Sequence, residues 1–281
     1  MKPVDPTFWN TQVELIKAMG PPVRPHASEI LIMQSLLRDR MAARPAGGRI
    51  RVLVLGVTPE IVGMDWPHGT ELTAVDQSES MIAAFWPGDI PGQRTLVRAD
   101  WLHMPFEPGS FHFVLGDNVF NALDYPQGFR NLAERLGAVT RPEGLLIVRV
   151  LCQAEPIEHG RDIVAEYRAG QLTDYHQFRF RMMTADQASV EEGLFTSKEA
   201  IDKSMEAHGL DMAEVYETTG YRLPRPPAAG PAPPMKPYKV SYPTPDEFLA
   251  AVSHRFELVD TRHGGHALAH RTPVFALEPR G

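Results

Sequence analysis

Asp76 follows Gly56 at about 20 residues, the separation at which a carboxylate meets a ribose in nucleotide-binding folds. A carboxylate suits that task because it accepts from both the 2′ and the 3′ hydroxyl. Gly56 stands in "RVLVLGVTPEIVG", Arg51 to Gly63, where an apolar run breaks into a turn. Two more acids, Asp100 in "VRADW" and Asp117 in "VLGDN", close similar runs. Asp100 is placed to accept from an exocyclic adenine amine while Trp101 covers the ring, and Asp117-Asn118 falls beside a reacting centre. Plainer roles stand next to these: Asp76 as cap of the following helix, Asp100 as turn closure, Asp117 as part of a polar loop. A pyrophosphate cradle is disfavoured. Positions 56, 58 and 61 read Gly, Thr, Ile where a nicotinamide dehydrogenase needs G-x-G-x-x-G, and no P-loop is present. Thr58, Pro59 and Glu60 instead suit an N-cap, a first helical position and a first turn.

Strand–helix alternation must position these residues. "RIRVLVLG" (49–56), "TELTAVDQS" (70–78), "RTLVRADW" (94–101), "SFHFVLGDN" (110–118) and "GLLIVRVL" (144–151) read as strands. Helices are expected in "PEIVGMDW", in "SESMIAAFW" with a Ser78 or Ser80 cap, and in "YPQGFRNLAERLGAVT", stopped by Pro142 and Gly144. Such alternation means a doubly wound α/β, mostly parallel Rossmann-like sheet with its ligand outside the carboxyl ends of the strands. Before it, "PTFWNTQVELIKAM" and "HASEILIMQSLLRDRM" predict two helices, the second capped by Ser28. After it, "GRDIVAEYRAGQ" and "SKEAIDKSMEAHG" predict solvent-facing helices on either side of "YHQFRFRMM". The proline-rich Tyr221 to Pro245 predicts an extended connector. "TPDEFLAAVSHR" is a capped helix, and two strands across Gly264-Gly265 predict a C-terminal antiparallel hairpin. The organisation expected is 1–48 an N-terminal helical cap, 49–152 the cofactor-binding α/β core, 153–243 a helical insertion and connector acting as cap, and 244–281 a helix and hairpin completing the core.

Bulk composition narrows the classes of function. The 281 residues hold 28 basic and 35 acidic side chains, a net charge of −7, which argues against general affinity for a nucleic-acid backbone. A single cysteine, Cys152 in "LLIVRVLC", excludes an internal disulfide and reads as a packed core thiol. No apolar run approaches the ~20 residues of a membrane span and no signal-like segment opens the chain, so a cytoplasmic protein, monomer or homodimer, is expected.

With these motifs in hand, the chain resembles the class I S-adenosylmethionine-dependent methyltransferases over about residues 50 to 151 and the terminal hairpin. The matching stretches are "VLVLGVTPE", "LTAVDQSESMI", "VRADWLHMPFEPGSFHFVLGDN" and "RPEGLLIVRV". The resemblance implies S-adenosylmethionine as methyl donor and S-adenosylhomocysteine as product. It implies cofactor contacts from Gly56, Thr58, Glu60, Asp76 with Gln77 beside it, Met81, Asp100, Trp101, Leu102 and Asp117. The acid that the family carries before its glycine loop is replaced here by Val54, and two of its glycines by Thr58 and Glu60. A donor without phosphates tolerates the missing glycines: helix-terminus N–H groups can meet its carboxylate, and Glu60 can pair with its ammonium.

Methyl transfer needs orientation and desolvation more than a reactive side chain. Asp117 and His103 are the candidate catalytic bases, while His112, early in its strand, is read as structural and no metal is assigned. Arg149 interrupts a buried strand, where an unpaired guanidinium is costly, so either an internal carboxylate or an anionic substrate must face it. Arg24, Arg179 and Trp9 are further substrate-side candidates. The acceptor expected is a small molecule methylated on oxygen or nitrogen, carboxylate-bearing or phenolic. The alternative is an inactive scaffold of the same fold, favoured by the altered Val54–Glu60 loop.

Overall fold

The computed structural model describes residues 13–42, 48–186, 194–195, 205–221 and 239–280. Seven strands form one sheet in the order β3-β2-β1-β4-β5-β9-β8. They are β1 (Ile50–Leu55), β2 (Thr70–Asp76), β3 (Arg94–Arg98), β4 (Phe111–Asp117), β5 (Thr140–Arg149), β8 (Phe256–Arg262) and β9 (Val274–Pro279). The first five run parallel, and β9 pairs antiparallel with both β5 and β8. The chain winds outward from β1 to β3 and then crosses to β4, so the strand order reverses between β1 and β4.

Both faces of this sheet are covered, which explains why its strands carry unbroken apolar runs. In β1, Leu53 and Leu55 pack on one side with helix α5 (Gln127–Val139) and α9 (Pro245–Val252). Val52 and Val54 pack on the other with α2 (Ala27–Ala42), the single turn α3 (Pro59–Val62) and α4 (Glu79–Phe85). Five described elements lie beyond the sheet: α6 (Gly160–Arg168), α7 (Tyr175–Thr184), α8 (Met212–Thr218) and the paired strands β6 (Leu194–Phe195) and β7 (Lys239–Val240). A third apolar cluster, including Ile163, Phe178, Met183 and Val215, ties α6, α7 and α8 together. The short α1 (Val13–Ala18) precedes them all.

Four sequence expectations are corrected. Helix α5 ends at Val139 and β5 begins at Thr140, because Pro142 and Gly144 lie in a strand irregularity rather than a turn: Phe111 faces Thr140 while Phe113 already faces Leu145. The hairpin between β8 and β9 is joined by residues 263–273, with a 3₁₀ turn at Ala269–Arg271, and not by a tight Gly-Gly turn. Ser28 lies inside α2, which starts at Ala27, and its hydroxyl accepts from the Gly265 N–H instead of capping. Helix α6 is amphipathic and not solvent-facing, since Ile163, Val164 and Tyr167 are buried. "YHQFRFRMM" is itself the buried helix α7. Most of the proline-rich stretch lies outside the described residues. Among the described residues no helix is long and apolar enough to cross a membrane.

Candidate active site

A cavity of about 270 Å³ opens at the carboxyl ends of β1, β2 and β4, at the point where strand order reverses. The turn after β1 forms one wall. Gly56 adopts φ +83, a left-handed conformation that favours glycine, and its N–H donates to the Val75 carbonyl. A Cβ there would stand 3.8 Å from Asp76 Oδ2 and 3.7 Å from the Trp101 ring, so the bare backbone keeps this corner open. Thr58 occupies the N-cap position of α3 but makes no capping hydrogen bond, contrary to the role expected of it. With α3 only one turn long, the expected helix-terminus site for a carboxylate is also weakened.

Asp76 ends β2 and is mostly buried. Its Oδ1 accepts from the Ser78 N–H, and the Val57 and Gln77 amides also support the carboxylate. Burial outweighs these bonds and pushes its pKa up to about 6. The cap of α4 is Ser78, whose hydroxyl accepts from Met81 N–H, so Asp76 is not that helix's N-cap. Asp100 caps the 3₁₀ turn Trp101–His103 through Leu102 N–H, and Trp101 Nε1 donates to the Val75 carbonyl. That turn sets Trp101 and Leu102 against the cavity and rotates His103 outward. His103 is 80% exposed, pairs with Asp100 at 3.2 Å and does not line the cavity, which removes it as a base.

Asp117 and Arg149 are lateral neighbours on β4 and β5. Arg149 is fully buried, and its Nε donates to Asp117 Oδ1 at 2.6 Å. Its other donors meet the Pro22 and Val23 carbonyls and Glu29 Oε2, itself fully buried. Arg149 does not line the cavity, so the substrate-facing alternative gives way to the internal one. Asp117 does line it; burial, opposed chiefly by Arg149, raises its pKa to about 6, and its Oδ2 accepts no hydrogen bond among the described residues. Next to it, Asn118 holds φ 56 and gives its amide hydrogen to the Val23 carbonyl, while its buried Oδ1 has no partner.

The structure thus brings Gly56, Thr58, Glu60, Asp76, Gln77 and Met81 into one cavity wall, and Asp100, Trp101, Leu102 and Asp117 into the next. Arg24 reaches the same space and pairs with Glu60 Oε1 at 2.6 Å, leaving Glu60 Oε2 buried without a partner. Arg179 on α7 also lines it. Trp9 lies outside the described residues. Asn121, Met183 and Tyr242, which carry no motif, line the cavity unannounced by sequence; only the proximity of Asn121 to Asp117 hinted at its place. His112 is buried early in β4 and accepts from the Arg51 N–H, a structural role. Burial raises the Cys152 thiol well above its ordinary range, as suits a core side chain.

The family described as "methyltransferase domain" matches residues 57–148. No curated protein matches the sequence. Among solved structures, a provisionally assigned zinc-dependent alcohol dehydrogenase from Rhodobacter sphaeroides superposes with a TM-score of 0.57 at 14% identity, covering 100% of both chains. The PH0226 protein from Pyrococcus horikoshii OT3 gives 0.51 at 12%, covering 95% of this chain and 99% of its own. The CurJ carbon methyltransferase gives 0.54 at 12%, over 99% of this chain and 62% of its own. At such identities the likeness is one of fold, and the family match falls on the strands and turns that build the cavity. Residues 57–148 match a methyltransferase domain, and the sheet they build has the Rossmann-like order of the class I methyltransferases that use S-adenosylmethionine.

Proposed function

We propose that this chain transfers a methyl group from S-adenosylmethionine to the oxygen or nitrogen of a small-molecule acceptor. The observation that carries the reading is the cavity at the strand-order reversal, with buried Asp76 and Asp117 on its floor and the orphaned Glu60 Oε2 in its wall. These residues fit the cofactor. Asp76 would accept from its ribose hydroxyls, Asp100 and Trp101 would take the adenine, and Glu60 Oε2 would meet its ammonium in place of the acid missing at Val54. Four acids around one cavity, Glu60, Asp76, Asp100 and Asp117, also suit a ligand bearing a sulfonium and an ammonium. When bound, the cofactor supplies a methyl carbon already activated by the sulfonium, so the chain's share is placement and exclusion of water. Asp117, rather than His103, is the acid placed to take a proton: a carboxylate with its pKa near 6 is a stronger base than an ordinary one.

The segments flanking the core serve as a cap on the acceptor side. Met19, Val23 and Arg24 from the N-terminal segment, and Arg179, Met183 and Tyr242 from the insertion and its exit, close the cavity opposite the sheet. Calorimetry with S-adenosylhomocysteine tests the reading. Low-micromolar binding with 1:1 stoichiometry is the expected result, whereas a folded sample that binds nothing supports the scaffold reading instead. Methyl transfer to small acids and phenols, followed by mass spectrometry, then separates an active enzyme from a binder.

A further inference from the structure

Three arginines among the described residues are buried: Arg149, Arg179 and Arg271. Two are held by the protein. Arg149 meets Asp117, Glu29 and two carbonyls, and Arg271 meets Glu158, Thr184 and the Cys152 carbonyl. Arg179 has neither a salt bridge nor a hydrogen bond among the described residues. Arg181, two residues on along the same helix, is paired with both Glu158 and Glu166, and Arg24 across the cavity is paired with Glu60. The Arg179 charge acts on Tyr175, His176 and Tyr242, none of them a carboxylate. A buried guanidinium without a counter-charge costs stability. Arg179 is nonetheless held in position, because α7 is capped by Asp174 and packed through Phe178 and Phe180 into the third apolar cluster.

We infer that Arg179 is the anion-binding residue of an acceptor subsite, and that the acceptor is a small, mostly apolar molecule carrying one carboxylate. The inference rests on the cavity being the methyl-transfer site. The surroundings fix the class. Leu151, Met183, Val240 and Ala122 line the cavity with Arg179 and offer an apolar wall, so the body of the ligand is apolar. One unopposed guanidinium matches one carboxylate in two parallel hydrogen bonds. A dianionic phosphate would need a second free cation, and the other charged side chains facing the cavity are Arg24, which is already paired, and acids.

The test uses the full chain saturated with S-adenosylhomocysteine, after that binding has itself been measured. Octanoate and 3-phenylpropanoate are titrated against octanol and 3-phenylpropanol, with octyl phosphate as a third head group. The acids are expected to bind about tenfold tighter than the alcohols, as a charge-assisted pair should. In Arg179→Met that ratio falls to near one with homocysteine-compound affinity unchanged, and Arg179→Lys keeps part of it. Without ligand, Arg179→Met also melts higher than the parent, because an unpartnered buried charge has been removed. Equal binding of acids and alcohols by the parent overturns the inference, as do a ratio unaffected by Arg179→Met, a preference for octyl phosphate, or a lower melting point in that variant. If S-adenosylhomocysteine fails to bind, the methyl-transfer reading falls, and the acid-to-alcohol ratio of the free protein still decides the role of Arg179.

Discussion

Glu60 shows how far a single residue could be read. Its place in the first turn after the glycine loop was plain in "GVTPE", and the absence of an acid at Val54 made it the candidate for the cofactor's ammonium. Its pairing with Arg24 was not legible, because Arg24 comes from a segment whose docking no local pattern reveals. With Oε1 engaged and Oε2 orphaned, Glu60→Gln should raise the Kd for S-adenosylhomocysteine about tenfold, or about 1.4 kcal/mol, by calorimetry; an unchanged Kd would eliminate the ammonium role. Asp76 gives a pH dependence. Its folded pKa is raised from 3.8 to about 6, so the free protein holds a proton there between roughly pH 4 and 6 and loses stability as pH rises through that window. Ribose hydroxyls donate best to the ionised carboxylate, so binding favours the deprotonated form. Affinity for S-adenosylhomocysteine should therefore rise about tenfold from pH 5 to pH 7 and then level off, and Asp76→Asn should bind weakly with a flatter profile. The His103 expectation failed for a physical reason. Consecutive residues of a 3₁₀ turn diverge by a third of a revolution, so the turn that delivers Trp101 and Leu102 sends His103 to solvent.

Elements were legible where the chain punctuates itself. The five parallel strands and the helices between them followed from apolar runs, three of them closed by acids, and the start of α9 followed from "TPDE". There the structure forms a full capping box: Thr244 Oγ1 accepts from Glu247 N–H at 3.1 Å while Glu247 Oε2 accepts from Thr244 N–H at 2.8 Å. Because α9 sets Phe248 against Phe120 and Phe275, Thr244→Ala should cost about 1 kcal/mol in urea denaturation and leave the Kd for S-adenosylhomocysteine within about twofold. Other elements resisted reading. A strand buried on both faces has no alternation to show which side chains point where, so the environment of Arg149 stayed open between two alternatives. Pro142 and Gly144 look like a helix stop and in fact sit in an irregular stretch of β5, where the ladder skips past the missing amide. Helix α7 was hidden because it is buried nearly all round, Arg179 included, and so shows no amphipathic stripe.

At the scale of the whole molecule, the cavity depends on how the N-terminal segment is attached to the sheet, through the apolar face of α2 and through a buried charge cluster. Arg149 reaches from β5 to the carbonyls of Pro22 and Val23 and to Glu29 of α2, while Glu29 in turn accepts from the Thr272 hydroxyl and faces His266 at 3.1 Å. Neighbouring residues of the same segment, Val23 and Arg24, line the cavity. Sequence could name Arg149 as a buried cation needing an internal carboxylate or an anionic substrate, while its lateral neighbour Asp117 is given by the sheet register. The carbonyls and Glu29 were out of reach, since they lie about 120 residues away along the chain. Removing the guanidinium leaves two buried carboxylates without their cation, which is worse than removing the whole cluster. Arg149→Met should therefore lose about 3–5 kcal/mol of stability and bind S-adenosylhomocysteine weakly even below its melting point, because the wall bearing Arg24 and Glu60 loosens. Adding Glu29→Gln to that variant should recover part of the loss, by relieving one uncompensated charge. A loss below about 1 kcal/mol in the single variant, or no recovery in the double, would mean that packing rather than this charge cluster holds the N-terminal segment over the site.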